Sequence, residues 1–187
     1  MTDLKRCGWA QKPLMIDYHD REWGVPVHDD QKLFEMLILE GSQAGLNWLT
    51  VLKKREGYRK AFDNFDARKI AQYTDEDAER LRENPDIIRN RLKINAAIIN
   101  AQKFLLIQEE HGSFDKFIWS FTGDKPVKNG FKTLSEIPAT SPISDNISKV
   151  MKKLGFKFVG STICYAFMQA VGMVNDHITD CFRYEEV

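Results

Sequence analysis

Residues Lys149–Phe167 read KVMKKLGFKFVGSTICYAF, two helix-like segments around a short turn bounded by Gly155 and Gly160. The alternation in the turn would suit a strand, but five residues between helical segments make a better hairpin. Lys149, Lys152, Lys153 and Lys157 bring four positive charges with no acid among them. A second helix opening at Gly160-Ser161-Thr162 offers backbone N–H and hydroxyl donors at the positive end of its dipole, where a phosphate binds. Contacts of that kind position a duplex without reading its sequence. A solvated lysine face is the simpler use of the charges; the glycines at both ends make a phosphate-gripping hairpin an equal reading.

Outward from this hairpin, near 149–172, the chain reads helix after helix. Ser141-Pro142 supplies an N-cap and first turn for the helix ending at Leu154-Gly155, and Gly160 to Val171 is closed by Gly172. Asp29 and Asp30 cap a segment with Leu33, Phe34, Leu37 and Ile38 on one face, ending near Gly41. Asn47 to Arg55 is a second helix with Trp48, Val51 and Leu52 inward. Asp66 to Tyr73 and Thr74 to Asn84 form two short ones, the latter opening with Thr74-x-x-Asp77. From Asn90 to Glu110 a long helix is expected, with Leu92, Ile99 and Leu106 spaced seven apart. Ser113 starts another helix through Trp119, and the sequence from Thr122 to Pro142 is the one long loop. The expected architecture is all-α, one domain over residues 1–187.

The 187 residues contain 27 Lys+Arg and 27 Asp+Glu, so net charge predicts no polyanion partner and any nucleic-acid face must be local. The start, MTDLKRCGW, lacks an apolar signal core, and no run approaches the ~18 apolar residues of a membrane span. A soluble, cytoplasmic protein with no membrane partner is expected. Three cysteines are an odd count and too few for a disulfide framework.

His177 and Cys181, in NDHITDC, stand one helical turn apart and can face one point. A closed zinc site needs about four nitrogen and sulfur ligands. Cys164 sits in an apolar helix as a small hydrophobe, and His111 ends a helix before Gly112. Cys7 and His19 lie in a polar N-terminal segment without helical period, which would benefit from an anchor. Cys7, His19, His177 and Cys181 would make a Cys2His2 tetrahedron tying the two ends of the chain; the plainer alternative is four unlinked residues. Four protein ligands leave no place for water, so one zinc ion per chain would be structural, and a zinc hydrolase, which needs an open position, is disfavoured.

The chemistry must then lie elsewhere. Trp9, Tyr18, Trp23 and Trp48 crowd the N-terminal third, in stretches too irregular for one core face, although aromatics usually mean core. Glu40 follows Leu37-Ile38-Leu39 and precedes the Gly41–Gly45 loop. On its neighbours alone it reads slightly better as a solvated carboxylate than as the rim of an aromatic pocket.

The stretches RCGW (6–9), YHDREWGVP (18–26), LFEMLILEGSQAGLNWLTVLKKRE (33–56), TLSEIP (133–138) and LGFKFVGSTICYAFMQAVGMVNDH (154–177), with Cys181, run in order across nearly the whole chain. Together they resemble the 3-methyladenine DNA glycosylase I family of bacteria. The resemblance implies a helix-hairpin-helix glycosylase fold with a structural zinc snap on Cys7, His19, His177 and Cys181. It implies a base pocket in which Glu40 is the catalytic carboxylate that hydrogen-bonds the methylated adenine, Trp48 and Tyr18 contact the base, and Trp9 and Trp23 form neighbouring walls. It matches Gly45 and Leu46 to a loop that enters the DNA stack, beside hairpin contacts from Lys157, Gly160 and Ser161. The implied activity is base excision from double-stranded DNA containing 3-methyladenine, leaving an abasic site without strand cleavage. A catalytically silent lesion-binding module is the rival. A monomer is the default for an enzyme docking on duplex DNA. The family is implied to dispense with an aspartate after the hairpin, leaving Asp176 free to orient the adjacent metal ligand. One departure is Met15, where the family's best-known member has tyrosine, and the Cys7–His19 interval is one residue shorter, which puts the outer pocket wall in doubt.

Overall fold

A computed structural model describes residues 4–187, and in it most helices begin at a side-chain oxygen that replaces a missing backbone partner. Helix α1 (Pro13–Arg21) is an exception and opens instead on Pro13, whose fixed φ suits the first turn. The sequence showed no helical period there because only Tyr18 and His19 of α1 are buried, which is too few to make a stripe. Asp29 caps α2 (Asp30–Gln43), accepting from the Lys32 N–H at 2.8 Å. Asn47 caps α3 (Trp48–Ala61), which runs on to Ala61 rather than stopping at Arg55. Asp66 caps the single turn α4 (Ala67–Ile70), and a Thr74–Asp77 capping box opens α5 (Asp75–Glu83). Asn90 caps α6 (Arg91–His111), and Ser113 caps α7 (Phe114–Trp119).

The long loop is less empty than its composition suggests. Val127–Lys128, strand β1, pairs in parallel with β2 (Val174–Asn175), after which a 3-10 turn covers Leu134–Glu136. Between the strands lie α8 (Pro142–Lys153), with a Ser141–Ser144 capping box, and α9 (Ser161–Ala170). No strand forms in Phe156–Val159, which is the turn of the α8–α9 hairpin. The segment His177–Cys181 is a turn rather than helix, closed by Cys181 N–H to Ile178 C=O at 2.8 Å.

Helix α2 is the centre of the molecule. Every residue from Leu33 to Ser42 is buried, and α3, α6, α7 and α9 pack on it. Phe34, Phe104 and Phe114 stack along one side, with ring centroids 4.9 and 4.5 Å apart. Helix α6 turns inward the stripe Ile94, Ala97, Ala101, Phe104 and Ile107, not the expected leucines: Leu92 is 69% and Leu106 54% exposed. The alanines let α6 approach α2 and α4 closely, and the bulkier leucines fall on the opposite side. No helix among the described residues is long and apolar enough to cross a membrane.

Gly172 makes the turn from α9 into β2 with φ +72°, and a Cβ there would lie 2.4 Å from the backbone of Val25 and Pro26. Gly172→Ala is therefore expected to destabilise the fold by at least about 2 kcal/mol in urea unfolding, combining left-handed strain with overpacking.

Candidate functional site

The last turns of α2 bring Glu40 to the edge of a cavity of about 390 Å³. Its walls come from four parts of the chain. Trp9, Met15, Tyr18 and Trp23 belong to the N-terminal arm and α1, Trp48 opens α3, Ala166 and Gln169 lie on α9, and Leu134 and Ile137 come from the long loop. The five pocket residues expected from sequence thus meet in one place. Gln43, Ala166 and Gln169 were not anticipated, nor were Leu134 and Ile137. The TLSEIP motif was the available signal for the last two, but it is the β1–β2 pairing, with the Thr179 N–H to Phe131 C=O bond at 2.9 Å, that ties that loop down beside the cavity. Met15 does stand in the wall.

The rings brace one another. Tyr18 lies 5.3 Å from Trp48, and Trp9 meets Trp23 edge to face at 5.0 Å. Arg55 donates two hydrogen bonds to Glu22, at 2.7 and 2.8 Å, which fasten α3 to the end of α1 and keep Trp48 against Tyr18. Burial pushes the Tyr18 hydroxyl well above its ordinary pKa.

Glu40 is not the solvated carboxylate that its neighbours suggested. It is 4% exposed and makes no hydrogen bond or ion pair among the described residues. Burial pushes its pKa up to about 8. The Trp48 indole N–H is likewise buried without a partner. A buried carboxyl with nothing to balance it is costly, and such groups mark sites rather than cores. Behind Glu40 the cavity meets a second space of about 190 Å³, between Gln43–Leu46 and the start of α9 at Thr162 and Ile163. Gly45, at φ +76°, and Leu46, 42% exposed, form the tip of that loop.

Lys149, Lys152, Lys153 and Lys157 are exposed on the hairpin, and a Cβ at Gly160 would meet nothing within 4 Å, so the α9 N-terminus is open to approach. Ser161 corrects the expectation of a free hydroxyl donor. Its Oγ is engaged by the Asp145 carboxylate and by Ser144, and only its backbone faces outward as a donor candidate.

Beyond the aromatic wall, Cys7, His19, His177 and Cys181 converge, all buried, with ligand atoms within 4.8 Å of one another. Cys181 Sγ lies 3.5 Å from both His19 Nε2 and His177 Nδ1, and Cys7 Sγ lies 3.8 Å from His177 Nδ1. The remaining nitrogens are held: His19 Nδ1 by Asp20 at 2.8 Å, and His177 Nε2 by the Trp23 carbonyl at 3.0 Å. Those acceptors orient both rings and turn the other nitrogen of each toward the sulfurs. The two neighbouring sulfurs perturb each other in opposite senses: Cys181 raises the pKa of Cys7, which burial raises further, and Cys7 lowers that of Cys181. A pair of thiols and two oriented imidazoles in a dry site fit a four-coordinate metal ion. Asp20, not Asp176, is the orienting carboxylate. Asp176 instead accepts from Asn129, Tyr165 and Gln169 at 2.7–2.8 Å, fully satisfied and 1% exposed.

The methyladenine glycosylase family model matches residues 9–184. The chain belongs to the methyladenine glycosylase family. DNA-3-methyladenine glycosylase 1 of Escherichia coli (strain K12) is 54% identical over 182 residues, 97% of each chain. A crystal structure of 3-methyladenine DNA glycosylase I superposes with a TM-score of 0.93 at 55% identity, covering 95% of this chain and 98% of that one. The 3-methyladenine DNA glycosylase I of Staphylococcus aureus, solved to explain its recognition of 3-methyladenine, superposes with a TM-score of 0.93 at 38% identity, covering 96% of both. The mostly helical architecture described above matches those glycosylase structures.

A carboxyl whose folded pKa is raised supplies stability that is complete below its unfolded value near 4.5 and is lost as pH rises through about 8. Glu40→Gln, which stays neutral, should match the parent in urea at pH 4 and exceed it at pH 9 by about 2 kcal/mol or more. Equal stability at both pH values would place the carboxyl in water.

Proposed function

We propose that this protein is a monofunctional glycosylase that removes 3-methyladenine from double-stranded DNA by hydrolysing its N-glycosidic bond. The observation that carries the reading is the unpaired Glu40 carboxyl in a ring-lined cavity. A purine methylated on N3 is cationic in DNA, and its glycosidic bond is already weak. Aromatic faces attract such a cation by roughly 0.5–2 kcal/mol per ring, and the free pocket holds no positive group against Glu40. Entry of the cation supplies that missing charge. It draws Glu40 back to its ionised form, which accepts hydrogen bonds from the base's N–H edge. Guanine presents an oxygen where adenine presents an amino group, so the same carboxylate disfavours it.

Unstacking the nucleotide costs a few kcal/mol, least for a damaged base. The Gly45–Leu46 tip is suited to fill the gap in the stack. The Lys157–Ser161 turn is suited to hold a phosphate through backbone N–H groups and lysine charge. With the base held, water adds to C1′ of the deoxyribose and the bonding pair leaves with the purine, which becomes neutral; the displaced proton goes to solvent. Asp176 takes no part, since its oxygens already accept three hydrogen bonds. No lysine lines the cavity to attack the sugar, so the strand is left uncut at an abasic site.

Zinc is the ion we assign to Cys7, His19, His177 and Cys181, in a structural role. Zn–S of about 2.3 Å and Zn–N of about 2.0–2.1 Å put tetrahedral sulfur and nitrogen ligands about 3.6 Å apart, against the 3.5–3.8 Å found. With four protein ligands the ion would supply no activated water, and Cys7 and His19 would be fastened through it to His177 and Cys181 behind the pocket wall. We further assign the activity to one domain over residues 1–187, acting as a cytoplasmic monomer.

Incubation with methylated duplex, followed by chromatography of the released bases, is expected to yield 3-methyladenine from the protein as it stands. Binding to the duplex with no free base would instead identify a silent lesion-binding module. Glu40→Gln should lower kcat/KM about 10–100-fold, the worth of one charge-assisted hydrogen bond of about 1.5–3 kcal/mol, and Asp176→Asn should act mainly on stability. Elemental analysis should find one zinc per chain, chelation should lower the melting temperature, and Asp20→Ala should weaken zinc retention about 10–100-fold.

A further inference from the structure

Two polar side chains seven residues apart on α6 each hold a backbone segment. Lys93 Nζ donates to the Ser42 and Ala44 carbonyls, at 2.8 and 2.6 Å, at the frayed end of α2 just before Gly45 and Leu46. Asn100, 3% exposed, grips the Lys157 peptide from both sides: Nδ2 donates to its carbonyl at 2.9 Å, and Oδ1 accepts from its N–H at 2.7 Å. Lys93 faces no carboxylate, so its ammonium is committed to those two carbonyls. Between the two grips, the end of α2 and the hairpin turn touch directly. A Cβ on Gly41 would lie 3.3 Å from that of Phe158, which is itself held at φ +53°. Neither Lys93 nor Asn100 lines the 390 Å³ cavity.

We infer that α6 is a tie that sets the distance between the Gly45–Leu46 loop and the Lys157–Ser161 turn, with Lys93 and Asn100 as positioning residues for engaging a duplex. The inference rests on the glycosylase reading. One segment is to enter the base stack and the other to hold a phosphate, and both must reach the same nucleotide at once. A shift of about 1 Å between them spoils that coincidence, and misplacements of this size cost up to about a hundredfold. The tie explains why a lysine and a buried asparagine occupy an otherwise apolar inner face of α6: both bond to backbone that no regular ladder satisfies.

The test separates duplex engagement from base recognition. Lys93→Met and Asn100→Ala are each expected to raise KM for methylated duplex about tenfold. The Kd for a duplex carrying a tetrahydrofuran abasic analogue should rise equally. The Kd for free 3-methyladenine and kcat should change little. Lys93→Arg, which keeps donors for both carbonyls, should restore the parent values. Because loss of either grip frees the pair, the double variant should resemble either single variant rather than multiply them. The salt dependence of duplex binding should be unchanged in Lys93→Met, whereas a lost phosphate contact would lower its slope by about one. Unaltered duplex affinity, multiplying effects, a changed salt slope or weakened free-base binding would each overturn the tie. If Asn100→Ala fails to fold, the Lys93→Met and Lys93→Arg pair decides alone. Release of no 3-methyladenine by the parent protein would sink the glycosylase reading, and the abasic-duplex arm would still read the tie.

Discussion

The carboxyl of Glu40 occupies a place that an apolar side chain would fill more stably. It sits near the end of a helix buried on every side, against rings and without a partner, and its pKa rises to about 8 as a result. Such a cost persists only where the surrounding structure leaves the group no escape. The full burial of α2 provides that constraint: four helices pack on it, and Glu40 is left facing the cavity and the smaller space behind it. Proteins that keep a site in this condition trade stability for it.

The cluster of Cys7, His19, His177 and Cys181 belongs to the same construction. Trp23 packs edge to face on His177 with centroids 4.6 Å apart, and Trp9 lies 5.1 Å from His19. The pocket wall is therefore the outer face of the cluster. The N-terminal segment contributes two of the cavity's tryptophans, Trp9 and Trp23. Beside its link to the C-terminal segment it is held by those ring contacts, by the Arg6–Asp20 pair with three bonds at 2.8–2.9 Å, and by the Arg55–Glu22 pair. The aromatic wall of the cavity thus depends on residues 170 positions apart meeting at Cys7 and His177.

Much of this was legible in the chain itself. Local chemistry acts within a few residues, so Asp29, Asn47, Asp66, Thr74, Asn90, Ser113 and Ser141 announced helix starts that their backbone hydrogen bonds then realise. The Gly155–Gly160 turn was readable for the same reason, whereas spacing left Cys7, His19, His177 and Cys181 open between a shared site and four unlinked residues until the family resemblance and then the fold brought them together. Where several faces of a helix were plausible, periodicity misled: α6 buries alanines and exposes Leu92 and Leu106, a choice made by how closely its neighbours approach. Helix α1 carried no stripe to read.

Glu40 marks the boundary between the two kinds of information. Residue order determined a helix through it, capped by Asp29 and followed by a glycine-containing loop, because those preferences are settled by neighbours along the chain. Whether the carboxyl met water or rings depended on elements distant in sequence. Trp9, Trp48, Leu134 and Gln169 come from four separate segments, and only packing in three dimensions encloses Glu40 among them. Burial is a property of what surrounds a group, so no local pattern could state it.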